Sequence, residues 1–226
     1  MSTRKDPGVL SEKLITYRGV IQIHVGEGEY RESFDVHEAL ITARSIFFKN
    51  ALSGNWKEAQ ERVVNLPEDD PAIFAIYVHS IYNGELPTTP DSETLNLSPD
   101  WENRGICKFY VLAEKLQDIG AKNSAIDALI ARSKVKDDHG VGRAPAPGSV
   151  KVIYNGTTAG SSARKLLVDF YAHRASLSYM AEAEAELPED FKHDLLIKMF
   201  ALRKPGLEDP TRATNTEYHE KNNNTG

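Results

Sequence analysis

The seven histidines, at 24, 37, 79, 139, 173, 193 and 219, are the residues best suited to holding a metal or moving a proton, yet no two stand four apart on a helical face. His37-Glu38 opens like a His-Glu-x-x-His zinc motif, but Ile41 occupies the place of the second histidine. The acids Glu68, Asp69 and Asp70 could gather a cation, but they stand at a helix start, where carboxylates cap free amides and complement the dipole without any metal. Gly26 and Gly28 begin a Gly-x-Gly that ends at Arg31 instead of a third glycine, and no Gly-Lys-Ser or Gly-Lys-Thr occurs. Cys107 is the only cysteine. That excludes an intrachain disulfide and a multi-cysteine metal site, and its apolar helical neighbours favour a buried small hydrophobe over a reactive thiol. These patterns predict no catalytic residue, no metal and no cofactor, and His37 is expected as a hydrogen-bonded residue at a strand-to-helix junction.

Trp56 differs because its neighbours do not explain it. It stands in SGNWKEAQER, residues 53–62, a polar, turn-like stretch. A tryptophan is mostly buried in the average protein, and an aromatic body with a polar tip also anchors partner surfaces. Two readings stand side by side: the ring folds back near Phe48 on the preceding helix, or it is a docking knob. The pair Phe47-Phe48 reads as core, with one ring buried and the other at a rim.

The elements that must position these residues follow from periodicity. VIQIHV at 20–25 alternates, with Ile21, Ile23 and Val25 on one face; YRESFDV at 30–36 alternates again with Tyr30, Phe34 and Val36, so a hairpin closes through Gly26–Glu29. From His37 the period becomes helical, and Ser45 caps a second short helix, IFFKNAL, that stops at Gly54. A brief strand, RVVNL at 62–66, leads to a helix with Asp70 at the N-cap, Pro71 at its first position and Asn83-Gly84 at its end. Residues 87–101, rich in Pro, Ser, Thr and Asp, read as a long exposed loop. Two helices broken near Gly120 follow.

The 226 residues suffice for one sizeable domain plus an appendage. The expected organisation is a flexible N-terminus at 1–15, a folded domain at 16–133, a Gly- and Pro-rich linker at 134–150, a helical extension at 151–204 and a disordered polar tail at 205–226. In the extension, helices start at Ser161 or Ser162 and at Pro188. A net charge of -6 with no basic stripe disfavours nucleic acid or an anionic membrane as partner. No apolar leader or membrane span is visible, so a cytoplasmic or nuclear location is expected.

The run FDVHEALITARSIFFKNAL, then GNWKE, then VVNLPEDDPAIFAIYVHSIYNGEL and FYVLAEKLQDIGAKNSAIDAL, taken in that order, resembles the BTB (POZ) domain, in particular that of fungal single-BTB proteins. His37 with Ser45, LPEDDP with IYNG, and YVLAEKL carry the likeness, which covers roughly residues 16–133. It implies an α+β fold, a small mixed sheet capped by a helical cluster with extra C-terminal helices. It further implies a protein-interaction module that is not an enzyme and has no small-molecule substrate. In members that recruit a cullin scaffold, a bulky hydrophobe, any residue and a glutamate occupy the loop after the second helix. Trp56, Lys57 and Glu58 match that pattern, which makes Trp56 and Glu58 the expected partner-binding residues of a ubiquitin-ligase adaptor. The other readings are a homo- or hetero-oligomerisation module in transcriptional regulation, with residues 14–18 as a pairing strand for a homodimer, and a small acid/base enzyme.

Overall fold

Alternation in VIQIHV builds strand β1 (Val20–Val25), with Ile21, Ile23 and Val25 fully buried in the computed structural model, which describes residues 19–87, 99–134 and 144–203. β1 runs antiparallel to β2 (Glu32–His37), from Val20 opposite His37 to Val25 opposite Glu32. It runs parallel to β3 (Val63–Leu66), with Gln22 opposite Val63 and Val25 opposite Leu66, so β1 is the central strand of a mixed sheet ordered β2-β1-β3. The reversal needs glycine at 26: its φ is +80° and a Cβ would stand 2.9 Å from the Tyr30 carbonyl oxygen. A single 3-10 turn, Gly28–Tyr30, interrupts the alternation, and β2 starts only at Glu32. Tyr30 is consequently exposed instead of sharing the face of Phe34 and Val36.

The parallel pairing of β1 with β3 demands a crossover, and three short helices supply it. They are α1 (Glu38–Arg44), α2 (Ile46–Ala51) and α3 (Lys57–Glu61). Ser45 caps α2 as expected, its hydroxyl accepting from the Phe48 amide at 3.2 Å. Helix α4 (Pro71–Asn83) is capped by Asp70, which accepts from the Ala72 amide at 3.0 Å, and ends at Gly84 in the left-handed region. Its apolar stripe includes Phe74 as well as Ile73, Tyr77 and Ile81.

Helix α5 (Pro99–Lys115) and helix α6 (Ile119–Lys134) are separated near Gly120 as expected, at Leu116–Asp118 with Gln117 at φ 54°, and Gly120 itself lies in the first turn of α6. Asp118 sets the start: its carboxylate accepts from the Ala121 amide at 2.8 Å and so begins α6 at Ile119, one residue before the glycine. Part of the expected linker is also structured. Residues 147–150 form the first turn of α7 (Pro147–Gly156), with Pro147 at a helix start and Ser149 and Val150 fully buried. Helices α8 (Ser162–Arg174), α9 (Leu177–Ala183) and α10 (Glu189–Leu202) complete the described fold.

α7 packs on α5 where Gly156 faces Val111 and Gly148 faces Arg104, and α10 packs on α8. One continuous apolar core therefore runs from Ile21 on the sheet through Phe74, Tyr110 and Ile153 to Phe191. The architecture is the expected α+β arrangement of a small mixed sheet, a helical cap and further C-terminal helices. The readings placed on residues 1–15, 14–18, 88–98, 135–143 and 205–226 lie outside the described residues.

Candidate functional site

Trp56 is the N-cap of α3, with φ -68° and ψ 153°, an extended backbone that turns its side chain off the helix. The ring is 67% exposed. It does not fold back into the core beside Phe48, whose own ring is fully buried. Glu58 sits in the first turn of the same helix, and both residues line one open cleft of about 420 Å³. Phe47, Asn50 and Ala51 of α2, Val64 and Asn65 of β3, and Gln117 of the α5/α6 turn form the rest of its wall. The cleft thus has an aromatic rim, an apolar floor and amide groups, and among the described residues Glu58 is its one titratable lining residue. Among the described residues Glu58 makes no ion pair, whereas neighbouring Lys57 and Glu61 approach each other at 3.8 Å.

Both ends of α3 are fixed. At the start, the Trp56 carbonyl accepts from the Gln60 amide at 3.2 Å, and the Gln60 side chain donates to the Asn55 carbonyl at 3.3 Å. At the end, Arg62 adopts the left-handed conformation (φ 60°) and its guanidinium grips Glu38 of α1 through two bonds, 3.0 and 2.5 Å long. A bidentate Arg–carboxylate pair restricts geometry as well as adding attraction. The far wall is held by Ser45, which is completely buried and donates to the Leu116 carbonyl at 2.6 Å.

Beside it lies a buried hub. Asp118, 1% exposed, accepts from Arg44 Nε at 3.0 Å and from the Tyr77 hydroxyl at 3.2 Å, in addition to the Ala121 amide. Burial, followed by the Asp118 charge, pushes the Tyr77 hydroxyl far above the ordinary phenol range, so it stays a donor. The hub ties α1 and α4 to the turn that carries Gln117 into the cleft. The sequence singles out Trp56 and Glu58, which the structure places on one cleft, but not Asn50, Asn65 and Gln117, which reach that cleft only through tertiary packing; a glutamine at a helix break was the sole local signal for any of them.

The residues weighed for other chemistry have structural partners. The His37 amide donates to the Tyr82 hydroxyl at 3.0 Å, and its Nδ1 lies 2.7 Å from the same oxygen, at the strand-to-helix junction as expected. Asp70 pairs with Lys108 at 2.9 Å and Asp69 with Lys115 at 2.6 Å, so both acids face α5 lysines. Cys107 is buried. Among the described residues no group of three or more His, Cys, Asp or Glu could hold a metal ion, and no helix is long and apolar enough to cross a membrane. A second open depression of about 350 Å³ brings His24, Glu27 and Arg31 to one rim, where the His24 Nδ1 lies 2.8 Å from the Ser33 hydroxyl.

The family model of the BTB/POZ domain matches residues 21–99, the span that holds the sheet, the crossover helices and α4. The chain is also similar to the mouse (Mus musculus) Kelch repeat and BTB domain-containing protein 4, with 33% identity over 58 residues. That alignment covers 26% of this chain and 11% of the relative, so this chain matches about a tenth of the relative's length.

Proposed function

This chain carries a BTB/POZ domain, a module of protein–protein interaction, and on that premise we propose that it is a substrate adaptor for a cullin-type ubiquitin ligase, kin to the fungal single-BTB proteins. The observation that carries the proposal is the placement of Trp56 and Glu58 on one cleft, with the ring two-thirds exposed on a helix clamped at both ends. The indole enters an apolar slot of the scaffold and Glu58 meets donors beside it, an anchor with a specificity contact. The mechanism is binding, with no bond made or broken by this chain. The C-terminal helices, or the 87–101 segment, present the client, in the cytoplasm or nucleus.

The test is calorimetric titration of a cullin N-terminal domain into the wild-type chain and into Trp56→Ala and Glu58→Ala variants. Trp56→Ala should weaken binding by on the order of 2 kcal/mol, about thirtyfold in Kd, while its thermal unfolding stays within a few degrees because the ring is exposed. No binding by the wild-type chain, or unchanged affinity in the variant, refutes the adaptor reading. The second reading, an oligomerisation module without a ligase link, draws on the outward apolar face of α10.

A further inference from the structure

Helix α10 is anchored by one face and apolar on the other. On its inner side Phe191 is fully buried edge-on against Tyr154 and Tyr171, Asp194 accepts from the Tyr154 hydroxyl at 2.8 Å, and Lys198 pairs with Asp169 of α8 at 2.6 Å. The helix is thereby fixed, and its outer side cannot be a core face swung outward. On that outer side Leu196 (55% exposed), Ile197 (57%), Met199 (51%) and Phe200 (61%) stand in the open, and Leu202 (42%), on the inner stripe, is exposed at the helix end. At roughly 200 Å² per large side chain, they expose on the order of 500 Å² of contiguous apolar surface, at the upper range of what a monomer shows. Beside them runs a groove of about 400 Å³ lined by Leu196, Met199, Phe200, Leu202, Arg203 and Ala172 of α8.

We propose that this face is a dimer interface, occupied by α10 of a second copy of the chain lying antiparallel to the first. The charge pattern selects that occupant. Glu189 and Asp190 form the first turn of α10, and Arg203 caps its end. Glu189 and Arg203 lie equally far from Leu196 along the helix, about 10 Å on either side at 1.5 Å per residue. Two turns of helix return nearly to the same face, so all three lie on one seam. An antiparallel pair crossing at Leu196 therefore sets Glu189 of each copy against Arg203 of the other, with Leu196 on the two-fold axis and the outer apolar side chains filling the facing grooves. The helix dipoles oppose each other in the same arrangement. Parallel pairing would set the acids against acids and Arg203 against Arg203. Among the described residues Arg203 has no ion-pair partner within the chain, and Glu189, although 2.6 Å from Lys192 of its own helix, keeps a side chain 88% exposed and open to a second cation. An isologous contact of this kind is closed, so assembly stops at two. Burying about 1,000 Å² in total places it at the small end of specific interfaces, which implies a dimer that dissociates in the micromolar range.

Sedimentation equilibrium of the full chain between about 1 and 100 µM tests this. The wild-type mass should rise from one copy to two across the range. Leu196→Glu and Phe200→Glu should each weaken association more than tenfold with unchanged thermal unfolding, since both side chains are exposed. Glu189→Arg should weaken it severalfold, and adding Arg203→Glu should restore it, a reversal that altered folding would not produce. Trp56→Ala should leave the dimer intact, which separates this proposal from the adaptor reading. A monomer at every concentration overturns the proposal and leaves the face to another segment or another protein. A dimer indifferent to Leu196→Glu, or one that Glu189→Arg strengthens, overturns it equally.

Discussion

Replacing Asp118 by alanine removes the acceptor on which three elements converge. Arg44 Nε, the Tyr77 hydroxyl and the Ala121 amide all donate to this one carboxylate, whose side chain is 2% exposed. Breaking a buried, hydrogen-bonded charge pair from one side typically costs about 3 to 5 kcal/mol, because the surviving charge is left without a partner. Here Arg44 retains 27% side-chain exposure and a 3.3 Å bond to the Ser80 carbonyl, so water and that carbonyl soften its loss. Tyr77 keeps the Ser45 hydroxyl as a neighbour, but the Ala121 amide loses its carboxylate outright, which keeps the expected cost at about 3 kcal/mol. For a chain of this size that is a fall of roughly 10 °C in Tm. Urea unfolding followed by circular dichroism, repeated for Arg44→Ala and for the double variant, provides the check. Arg44→Ala should cost less than Asp118→Ala, since Asp118 keeps two of its three donors, and the cycle should show a coupling of about 1 to 3 kcal/mol. An Asp118→Ala cost below about 1 kcal/mol, or strict additivity with Arg44→Ala, would falsify the hub.

Other perturbations probe neighbouring contacts. Ser45→Ala deletes a buried cap and the 2.6 Å bond to the Leu116 carbonyl, and should cost about 1 to 3 kcal/mol in the same unfolding assay. Gly156→Ala drives a methyl into Val111 at the α5–α7 contact and should destabilise by about 1 to 3 kcal/mol, with Val111→Ala in the same chain recovering most of the loss. For Asp70, partial burial raises the carboxyl, but the Lys108 ammonium and the amides of Ala72 and Ile73 outweigh it and hold the group below its ordinary value. A value depressed on folding means stability present above the unfolded range, near pH ~4, and lost as pH falls through the folded value. Asp70→Asn should therefore flatten the acid limb of a stability–pH curve, and an unchanged slope would rule out the contribution.

What could be read from the sequence was what short-range chemistry decides. The alternation in VIQIHV, the Ser45 cap, the Asp70-Pro71 start and the Gly84 stop each depend on a few adjacent residues, and each lies where the sequence places it. The α5/α6 break near Gly120 was legible, but its residues, Leu116–Asp118, were not, because Gly120 is a stronger local breaker. Asp118 acquires its capping role only once Arg44 and Tyr77, distant in sequence, close around it. Helix α7 escaped notice because the Gly and Pro residues that mark a linker also suit a helix start lying close against α5. At the site, the exposed ring and its glutamate were visible in sequence, whereas the amides that complete the cleft come from a strand and a turn that pattern alone cannot bring together.

The exposure of Trp56 becomes informative when set against the rigidity around it. An indole left in water forgoes on the order of 2 kcal/mol of burial, and a loose loop would recover part of that by collapsing the ring onto the nearby apolar surface of Phe47 and Val64. Here the collapse is blocked from both directions. The extended backbone at Trp56 aims the side chain away from α3, and the Arg62–Glu38 clamp prevents α3 from rotating to bring it back. In the proposed contact, binding requires little ordering of the loop, so more of the contact energy appears as affinity. The apolar face of α10 is held outward differently, by the buried Phe191 on its opposite side, whereas α3 carries no buried residue and is held by the partly exposed Arg62–Glu38 pair. Trp56 presents a single ring beside a carboxylate, suited to a slot in a different protein, and α10 a self-complementary strip suited to its own copy.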